Sequence, residues 1–326
     1  MNIRLFSLIA GAMLASVHVV AHSDASNAYP TKPIRLIVSV SPGSPPDSLA
    51  RIIAEPLAAA LGQPVVVENR PGGAGTIGMS AVAKAAPDGH TVGMIGLPQI
   101  VAPSLVPEMP YDTARDLAPV TQLTWTANVL VVRPSSPLKT VAEFVAMAKA
   151  KPGQLTYASA GNGTPSHLAS ELFKRHAGIE VQHVPYKGAP VALAALLGGQ
   201  VDIAFGGVAT AAPLIKSGKL RALGTASVRR LPALSDLPTI AELGFAGYQL
   251  NEWQGVVVPA GTPAEVIAKL VSEMARVVAL PETQARLAHL GLYPAEKLGP
   301  DALGALIRAE LPRWKQIVRE AGIHAD

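Results

Sequence analysis

Short apolar runs alternate with longer amphipathic stretches along most of the chain. The runs have the length and β-branched content of strands, and the stretches between them repeat their apolar positions with a helical spacing. This pattern predicts strands at residues 34–40, 65–69, 91–96, 129–132, 155–159, 181–185, 201–206, 220–225 and 255–258. It predicts helices at residues 48–61, 77–86, 141–150, 166–177, 189–197, 264–279, 282–290 and 302–320. Such alternation is typical of βαβ units, so we expect an α/β fold with largely parallel sheets.

The order of these elements also predicts how the chain is divided. A chain of 326 residues is long enough for two domains, and its last three predicted helices have no strand between them. We expect this helical tail to pack back onto the first domain. The predicted division is a first domain of residues 29–125 plus 248–326 and a second domain of residues 126–247. Two segments, near residues 121–128 and 248–253, would then cross between the domains as a hinge.

The beginning of the chain predicts export. Arg4 supplies a positive charge, an apolar stretch extends to Val20, and small residues form two candidate cleavage sites, after Ala21 and after Ala28. The apolar part is shorter than the ~20 residues that a membrane-spanning helix needs. We therefore predict a cleaved signal peptide within residues 1–28 and a periplasmic location.

Composition and charge exclude several classes of function. The chain is 49% hydrophobic and 15% charged, which is ordinary for a folded protein with a large core. Its net charge of +4 is spread without a basic cluster and only 4% of its residues are aromatic, so we predict no nucleic-acid partner. The absence of cysteine excludes disulfides and thiolate chemistry. The sequence has no hydrolase motif and no grouping of metal ligands, so we predict no cofactor, no metal and no catalysis.

Three glycine-containing loops, each between a predicted strand and a predicted helix, are the candidate binding elements. They are SPGSPPD at residues 41–47, RPGGAGTIG at residues 70–78 and SAGNGTP at residues 159–165. Glycine lets a backbone approach a ligand closely, and the unpaired N–H groups at a helix start attract an anion. Each loop alone is explained as well by an ordinary strand-to-helix turn. Because such loops gather at the carboxyl edge of a sheet, the three together predict a shared cleft for a small carboxylate.

The second of these loops also matches a nucleotide-binding motif. Gly73, Gly75 and Gly78 stand at the spacing of G-x-G-x-x-G, after a strand and before a helix. The acidic residue that such a site needs about 20 positions further on is missing, since residues 93–99 contain no Asp or Glu. We therefore expect no dinucleotide site at this loop.

Blocks of sequence along the whole chain after the predicted signal peptide are similar to one family. Residues 29–38, YPTKPIRLIV, are followed by Pro42, Gly43 and Asp47. Further blocks are VENRPG at 67–72, PDG at 87–89, PYD at 110–112, YAS at 157–159, HVPYKG at 183–188, LGGQVD at 197–202, GKLRAL at 218–223 and PAGTP at 259–263. This series resembles the Bug/TctC-type proteins, the substrate-binding components of tripartite tricarboxylate transporters. The likeness is specific because so many blocks occur in the same order.

The resemblance implies a type II periplasmic binding protein fold, in which two doubly wound α/β domains are joined by two crossing segments and enclose a ligand. In that family one carboxylate is held mostly by backbone groups and ordered waters. The residues that the resemblance places there are Pro42, Gly43, Ser44, Asp47, Ala160, Gly161, Asn162, Gly163, Thr164 and His167. Those that it places against the rest of the ligand are Gly73, Ala74, Gly75, Thr76, Asp202 and Phe205.

The first loop departs from the family pattern. The family usually has a second glycine where Ser44 stands, and the following Pro45 and Pro46 make this loop stiffer. This departure predicts an altered contact with the carboxylate.

The resemblance implies a periplasmic receptor that captures a small organic carboxylate for uptake through membrane transporter subunits. A dicarboxylate, an acidic amino acid and an aromatic acid are all compatible with this reading. The same binding chemistry would also serve a ligand sensor with a signalling partner. A periplasmic enzyme is a third possibility, for which the sequence contains no catalytic motif. We expect a monomer.

Overall fold

The computed structural model describes residues 29–250 and 252–323, and the predicted signal peptide lies outside the described residues. Its strands are β1 (Ile34–Val38), β2 (Val65–Asn69), β3 (Thr91–Gly96), β4 (Leu117–Thr126), β5 (Asn128–Val132), β6 (Thr156–Ser159), β7 (Gln182–Pro185), β8 (Ile203–Gly207), β9 (Arg221–Thr225), β10 (Glu252–Pro259) and β11 (Tyr293–Pro294). Its helices are α1 (Pro45–Leu61), α2 (Thr76–Ala83), α3 (Leu97–Leu105), α4 (Val141–Ala150), α5 (Pro165–Ala177), α6 (Ala189–Leu197), α7 (Val208–Lys216), α8 (Ala264–Ala279), α9 (Pro281–His289) and α10 (Pro300–Ala321). No helix in this part of the chain is long and apolar enough to cross a membrane.

The strands form two mixed sheets, which confirms the predicted α/β class. The first sheet has the order β11-β4-β10-β3-β1-β2 and the second the order β7-β6-β8-β5-β9. β1, β2 and β3 are parallel in the first sheet, as are β6, β7 and β8 in the second. All strands of the second sheet come from residues 128–225, while the first sheet takes strands from both sides of that range. The domain boundaries at residues 125–126 and 247–248 stay a prediction.

Both sheets contain antiparallel strands, so the sheets are less uniformly parallel than expected. β10 is antiparallel to β3 and β4, and β5 is antiparallel to β8 and β9. The reason lies at Ala127, the single residue between β4 and β5. The chain leaves the first sheet at its carboxyl edge and enters the second sheet at the edge that faces it. β5 must therefore run away from that edge, and β10 is reversed for the same reason when the chain returns.

Apolar side chains pack on both faces of the first sheet. In β1, Leu36 and Val38 belong to a cluster that includes Leu270 of α8, while Ile37 belongs to a different cluster. Successive side chains of a strand point to opposite faces, so one strand contributes to both. The cluster around Ile37 continues through Trp253 into the helices of the second sheet. The apolar core thus extends across the junction between the two sheets.

Four elements were missing from the sequence-based prediction: β4, β11, α3 and α7. Pro119 lies in β4, Pro103 in α3 and Pro213 in α7. Because proline removes a backbone donor, it weakens the local signal for a strand or a helix, and tertiary packing overrides it here. The C-terminal helix α10 packs against α3 and β4, so the tail returns to the first sheet.

Candidate functional site

A cavity of about 430 Å³ lies between the carboxyl edges of the two sheets. Among the described residues, its wall includes the first residues of five helices: Pro45 of α1, Leu97 of α3, Pro165 of α5, Ala189 of α6 and Val208 of α7. A helix start has unpaired N–H groups and the positive end of the helix dipole, so this wall favours an anion. The carboxyl edge is also where ligands bind in open α/β sheets.

The loop before α1, residues 41–47, is one of two matching loops at the cavity, and we call it the first cap loop. Gly43 has a φ of +80° and donates its N–H to Asp47 Oδ2 at 2.8 Å. The Ser44 hydroxyl donates to the carbonyl of Ser41 at 2.8 Å. This hydroxyl therefore stabilises the loop and does not cap the helix.

The second cap loop, residues 161–167 before α5, repeats this arrangement position by position. Gly163 has a φ of +68° and donates its N–H to His167 Nδ1 at 3.1 Å. The Thr164 hydroxyl donates to the carbonyl of Gly161 at 2.6 Å. The residue before each helix has nearly the same backbone, with φ −73° and ψ 160° in the first loop and φ −71° and ψ 157° in the second. The two loops share only one glycine and one proline in sequence, yet they have one backbone geometry.

Asp47 fixes the first cap loop from inside the protein. Its carboxylate, 2% exposed, accepts from the Gly43 N–H, from Arg51 Nε at 3.1 Å and from Asn69 Nδ2 at 2.9 Å. Burial alone would raise the pKa of Asp47, but the hydrogen bonds from Arg51, Gly43 and Asn69 outweigh it and hold the pKa below its usual value. With its oxygens used in this way, Asp47 positions the loop, and neighbouring residues form the cavity wall.

The residue at the corresponding position of the second cap loop is His167. Its ring centroid lies 4.1 Å from that of His183 and 6.4 Å from that of Tyr157, and the ring planes are nearly parallel. The Tyr157 hydroxyl donates to Glu171 Oε1 at 2.6 Å, and Lys174 Nζ donates to the same oxygen at 2.7 Å. The second cap loop is therefore supported by an aromatic stack that ends in a buried hydrogen-bond network.

The two helix starts differ at their second residue, which is Pro46 in α1 and Ser166 in α5. Proline has no N–H, so α1 lacks a donor that α5 keeps. The Ser166 hydroxyl accepts from the N–H of Ala160 at 3.0 Å and lies 3.1 Å from the hydroxyl of Thr164. The start of α5 is therefore the better anion site of the two.

The structure brings part of the predicted site to the cavity wall. Ser44, Ala160 and Thr164 line it directly. The other predicted residues of the two cap loops lie beside these positions and not on the wall. They are Pro42, Gly43, Asp47, Gly161, Asn162, Gly163 and His167.

The turn at the start of α2 supports the wall from behind. A side-chain carbon added at Gly75, which has a φ of +88°, would lie 2.8 Å from Gln99 Nε2. Gln99 lines the cavity, so the close approach of this glycine sets the position of a wall residue. The predicted contact residues of this turn are not on the cavity wall: Gly73, Ala74, Gly75 and Thr76.

Asp202 and Phe205 lie elsewhere, and the expectation that they face the ligand does not match their positions. Asp202 precedes β8 and accepts from the N–H and the hydroxyl of Thr156, at the start of β6, at 2.9 and 3.0 Å. This is the amino edge of the sheet, opposite to the cavity. Phe205 is 2% exposed and packs against Phe173, because a side chain inside a strand points to a face of the sheet and not beyond its edge.

Sequence reasoning missed the polar side chains that strands, crossing segments and the first turns of helices place on the wall. They include Ser39, Gln99, Thr126, Asn128, Ser166, Thr210, Glu252 and Gln254. Among the described lining residues, Glu252 is the only one with a charged side chain. One signal was present in the sequence, since this glutamate stands next to an apolar strand within the predicted crossing segment at residues 248–253.

Glu252 begins β10 at the junction of the two sheets. Its Oε1 accepts from Asn128 Nδ2 at 2.5 Å, and its strand partner on β4 is Thr126. Burial raises the pKa of Glu252 to about 7, while the hydrogen bond from Asn128 acts in the opposite direction. Glu252 is half-buried and lines the cavity.

Two sheets joined by two crossing segments, with a cavity between their carboxyl edges, define a two-lobed solute-binding protein. Residues 49–323 match the model of the tripartite tricarboxylate transporter family receptor, TctC. The chain belongs to this family of periplasmic binding proteins, and the resemblance inferred from its sequence blocks is confirmed.

Three relatives show how far the likeness extends. Protein BugT from Bordetella pertussis is 35% identical over 99% of this chain and 99% of its own length. A solved R. palustris structure with adipate is 35% identical, with a TM-score of 0.77, over 91% of this chain and 100% of that one. MatC from Rhodopseudomonas palustris with bound malate is 34% identical, with a TM-score of 0.74, over 89% of this chain and 100% of that one.

Proposed function

We propose that this protein is a periplasmic receptor that closes around a small organic carboxylate and delivers it to the membrane subunits of a tripartite transporter. The observation that carries the proposal is the convergence of five helix starts on one cavity whose described lining includes no Lys, Arg or His. There, N–H groups and helix dipoles can hold a carboxylate, at about 1.5–3 kcal/mol for each charge-assisted hydrogen bond. Membership of the family and the relatives with adipate and malate support this ligand class.

We place the carboxylate at the start of α5. The N–H of Ser166 is a donor there, Ala160 and Thr164 line the same part of the wall, and Ser44 faces them from α1. A ligand in this position contacts elements of both sheets, so it favours the closed arrangement by its higher affinity for that state. The two lobes of this closure would be residues 29–125 plus 248–326 and residues 126–247.

We further propose binding without chemistry at this site. Asp47 and His167 are the titratable side chains of the two cap loops, and each accepts a hydrogen bond from the glycine N–H of its own loop. Neither lines the cavity. A general acid or base has to reach the reacting group, so both residues fit a structural role.

The first test is a binding survey by isothermal titration calorimetry, using protein refolded from denaturant to remove any ligand carried through purification. The panel contains dicarboxylates, amino acids and aromatic acids, with neutral sugars as controls. We expect binding only among the carboxylates. A ligand that binds should also stabilise the fold: at ~100 times its Kd, it should raise the free energy of unfolding by about 2.7 kcal/mol. Binding confined to sugars would contradict the proposal.

The second test exchanges the helix start of α5 for that of α1. Ser166→Pro removes one N–H donor at a position where α1 already accommodates Pro46, so the helix is expected to form. We expect carboxylate affinity to fall about 10–100-fold. Ser166→Ala, which keeps the N–H and loses only the hydroxyl, is the matched control and should fall much less. Equal affinities of the two variants would place the carboxylate elsewhere.

A further inference from the structure

The β10 side of the cavity differs from the helix starts because it carries a carboxyl group. Glu252 and Gln254 are two residues apart in β10, so their side chains leave the strand on the same face, and both line the cavity. Within the described part of the chain, Glu252 Oε2 has no hydrogen-bond partner. Gln254 is 8% exposed, and its Oε1 is buried without a partner among the same residues.

Asn128 holds the Glu252 carboxyl group in place without neutralising it. Asn128 is 2% exposed, and its Nδ2 donates to Glu252 Oε1 at 2.5 Å. The adjacent strands β4 and β5 contribute Thr126 and Asn128 to this part of the wall, and no Lys, Arg or His is among the described lining residues. A carboxylate enclosed by protein without a cation is unfavourable, and a cationic group entering the cavity would relieve that cost.

We infer that Glu252, positioned by Asn128, recognises an ammonium group at the end of the ligand remote from its carboxylate. The inference rests on the proposed function and narrows its ligand class to aminocarboxylates. Donor-rich helix starts on one side of the cavity and the Glu252 carboxyl group on the other match a ligand that carries these two groups.

The same geometry disfavours a second carboxylate on the ligand. It would meet Glu252 as a like charge in a cavity whose wall supplies no cationic side chain among the described residues. Burial raises the pKa of Glu252 to about 7, and a neighbouring ammonium would lower it again by stabilising the charged form. In its ligand preference this chain is therefore expected to differ from the relatives solved with the dicarboxylates adipate and malate.

The experiment compares ligands of equal chain length at pH 8, where a carboxyl group with a pKa of about 7 is mostly ionised. The pairs are succinate with γ-aminobutyrate and glutarate with δ-aminovalerate, together with neutral α-amino acids and with butylamine as a probe without a carboxylate. Wild type, Glu252→Gln and Glu252→Asp are titrated by calorimetry. Glu252→Gln keeps an acceptor for Asn128 and removes the enclosed charge, so its Tm at pH 8 should be no lower than that of wild type.

We expect wild type to bind γ-aminobutyrate or δ-aminovalerate about tenfold or more tightly than the dicarboxylate of equal length, and α-amino acids, whose ammonium adjoins the carboxylate, less tightly than these. Glu252→Gln should lose this preference, while Glu252→Asp, which keeps the charge, should retain its direction. Dicarboxylates that bind tightly regardless of Glu252 would overturn the inference and leave the proposed function standing. Butylamine that binds in a Glu252-dependent way, without any carboxylate binding, would show a cation site at Glu252 but would overturn both the inference, which requires a ligand carboxylate, and the proposed function. No binding of any probe would overturn both.

Discussion

The two cap loops have the same backbone geometry but different side chains. This contrast separates the contacts that shape a loop from the groups that bind an anion. In both, a glycine N–H donates to the side chain four residues later and a hydroxyl donates to the carbonyl three residues earlier. The accepting side chain is Asp47 in the first loop and His167 in the second, and the second helical residue is Pro46 in one and Ser166 in the other. Local hydrogen bonds thus set the shape of a loop, and its side chains decide whether it can donate to an anion.

This contrast gives the first cap loop the role of a rigid wall. Two consecutive prolines and the buried carboxylate of Asp47 with its Arg51 partner fix it in place, and it has one N–H donor fewer than the second. The second cap loop keeps its donor and rests on an aromatic stack. We therefore expect loss of the Asp47 contacts in the first loop to affect mainly stability, and loss of the His167 contacts in the second to affect mainly carboxylate affinity.

The largest effect on stability is expected for Asp47→Ala. It removes the acceptor of the Gly43 N–H and of Asn69 Nδ2 together with the ionic partner of Arg51. Because two donors lose a charged acceptor and Arg51 is half-exposed, the free energy of unfolding should fall by about 2–4 kcal/mol, measured by urea denaturation. Asp47→Asn keeps one acceptor oxygen and should cost about half as much.

His167→Ala is the counterpart in the second cap loop. It removes the acceptor of the Gly163 N–H and one ring of the aromatic stack, next to the proposed carboxylate position. For the same loss of stability, His167→Ala should reduce carboxylate affinity by a larger factor than Asp47→Ala does. If both variants changed affinity and stability in the same ratio, the division of tasks between the loops would be wrong.

Alanine at the two loop glycines tests whether the shared geometry has the same energetic cost. Gly43 and Gly163 both have positive φ, and a side chain in that region costs roughly 1–2 kcal/mol. A Cβ at Gly163 would also lie 3.2 Å from Leu105 Cδ1, while a Cβ at Gly43 would meet nothing within 4 Å. Gly163→Ala should therefore lower the Tm more than Gly43→Ala, and the reverse order would show that the first loop is the less adaptable.

Pro46→Ala should convert the first helix start toward the second. It gives α1 the N–H that Ser166 gives α5, so carboxylate affinity should rise by up to about tenfold with the order of ligands unchanged. Pro56→Ala is the control, because Pro56 is an internal proline of the same helix and does not line the cavity. A gain in affinity for Pro56→Ala as well would trace the effect to helix stability and not to the new donor.

Mild acid should have the smallest effect, because it should leave the first cap loop intact. The pKa of Asp47 lies below that of an unfolded carboxyl group, about 3.9, so its contribution to stability is present above that pH and is lost only as the pH falls through the lower folded value. Between pH 7 and 5, amide exchange at Gly43, measured against the intrinsic rate, should therefore remain unchanged. A loss of protection at Gly43 in this range would contradict this role of Asp47.

Elements with a strong local signal were predicted with the bounds that the structure shows. Val141–Ala150, Ala189–Leu197 and Ala264–Ala279 have regular helical spacing, and Val65–Asn69 and Thr91–Gly96 are short apolar strands. The cap loops were also predictable, because glycine, a hydroxyl residue and proline before a helix are signals carried within a few residues.

The polar wall of the cavity was not predictable in this way. Glu252 and Asn128 are hydrogen-bonded across 124 residues of sequence, and nothing local to either marks the pairing. Their meeting depends on β10 and β5, the strands that run against their neighbours at the junction of the sheets. The position of Asp202 was not predictable for a related reason: a residue before a strand lies at the amino edge, and only the register with β6 shows that this edge faces away from the cavity.

The position of β10 in the first sheet has a consequence for how the protein is made. β10 lies between β3 and β4 although nine other strands precede it in the chain, whereas the strands of the second sheet all come from residues 128–225. During synthesis the second sheet therefore has all its strands while β3 and β4 still present unpaired edges to their surroundings. The centre of the first sheet forms only when the late strand β10 inserts between two earlier ones, so we expect the growing chain to be most exposed to aggregation in the interval before that insertion.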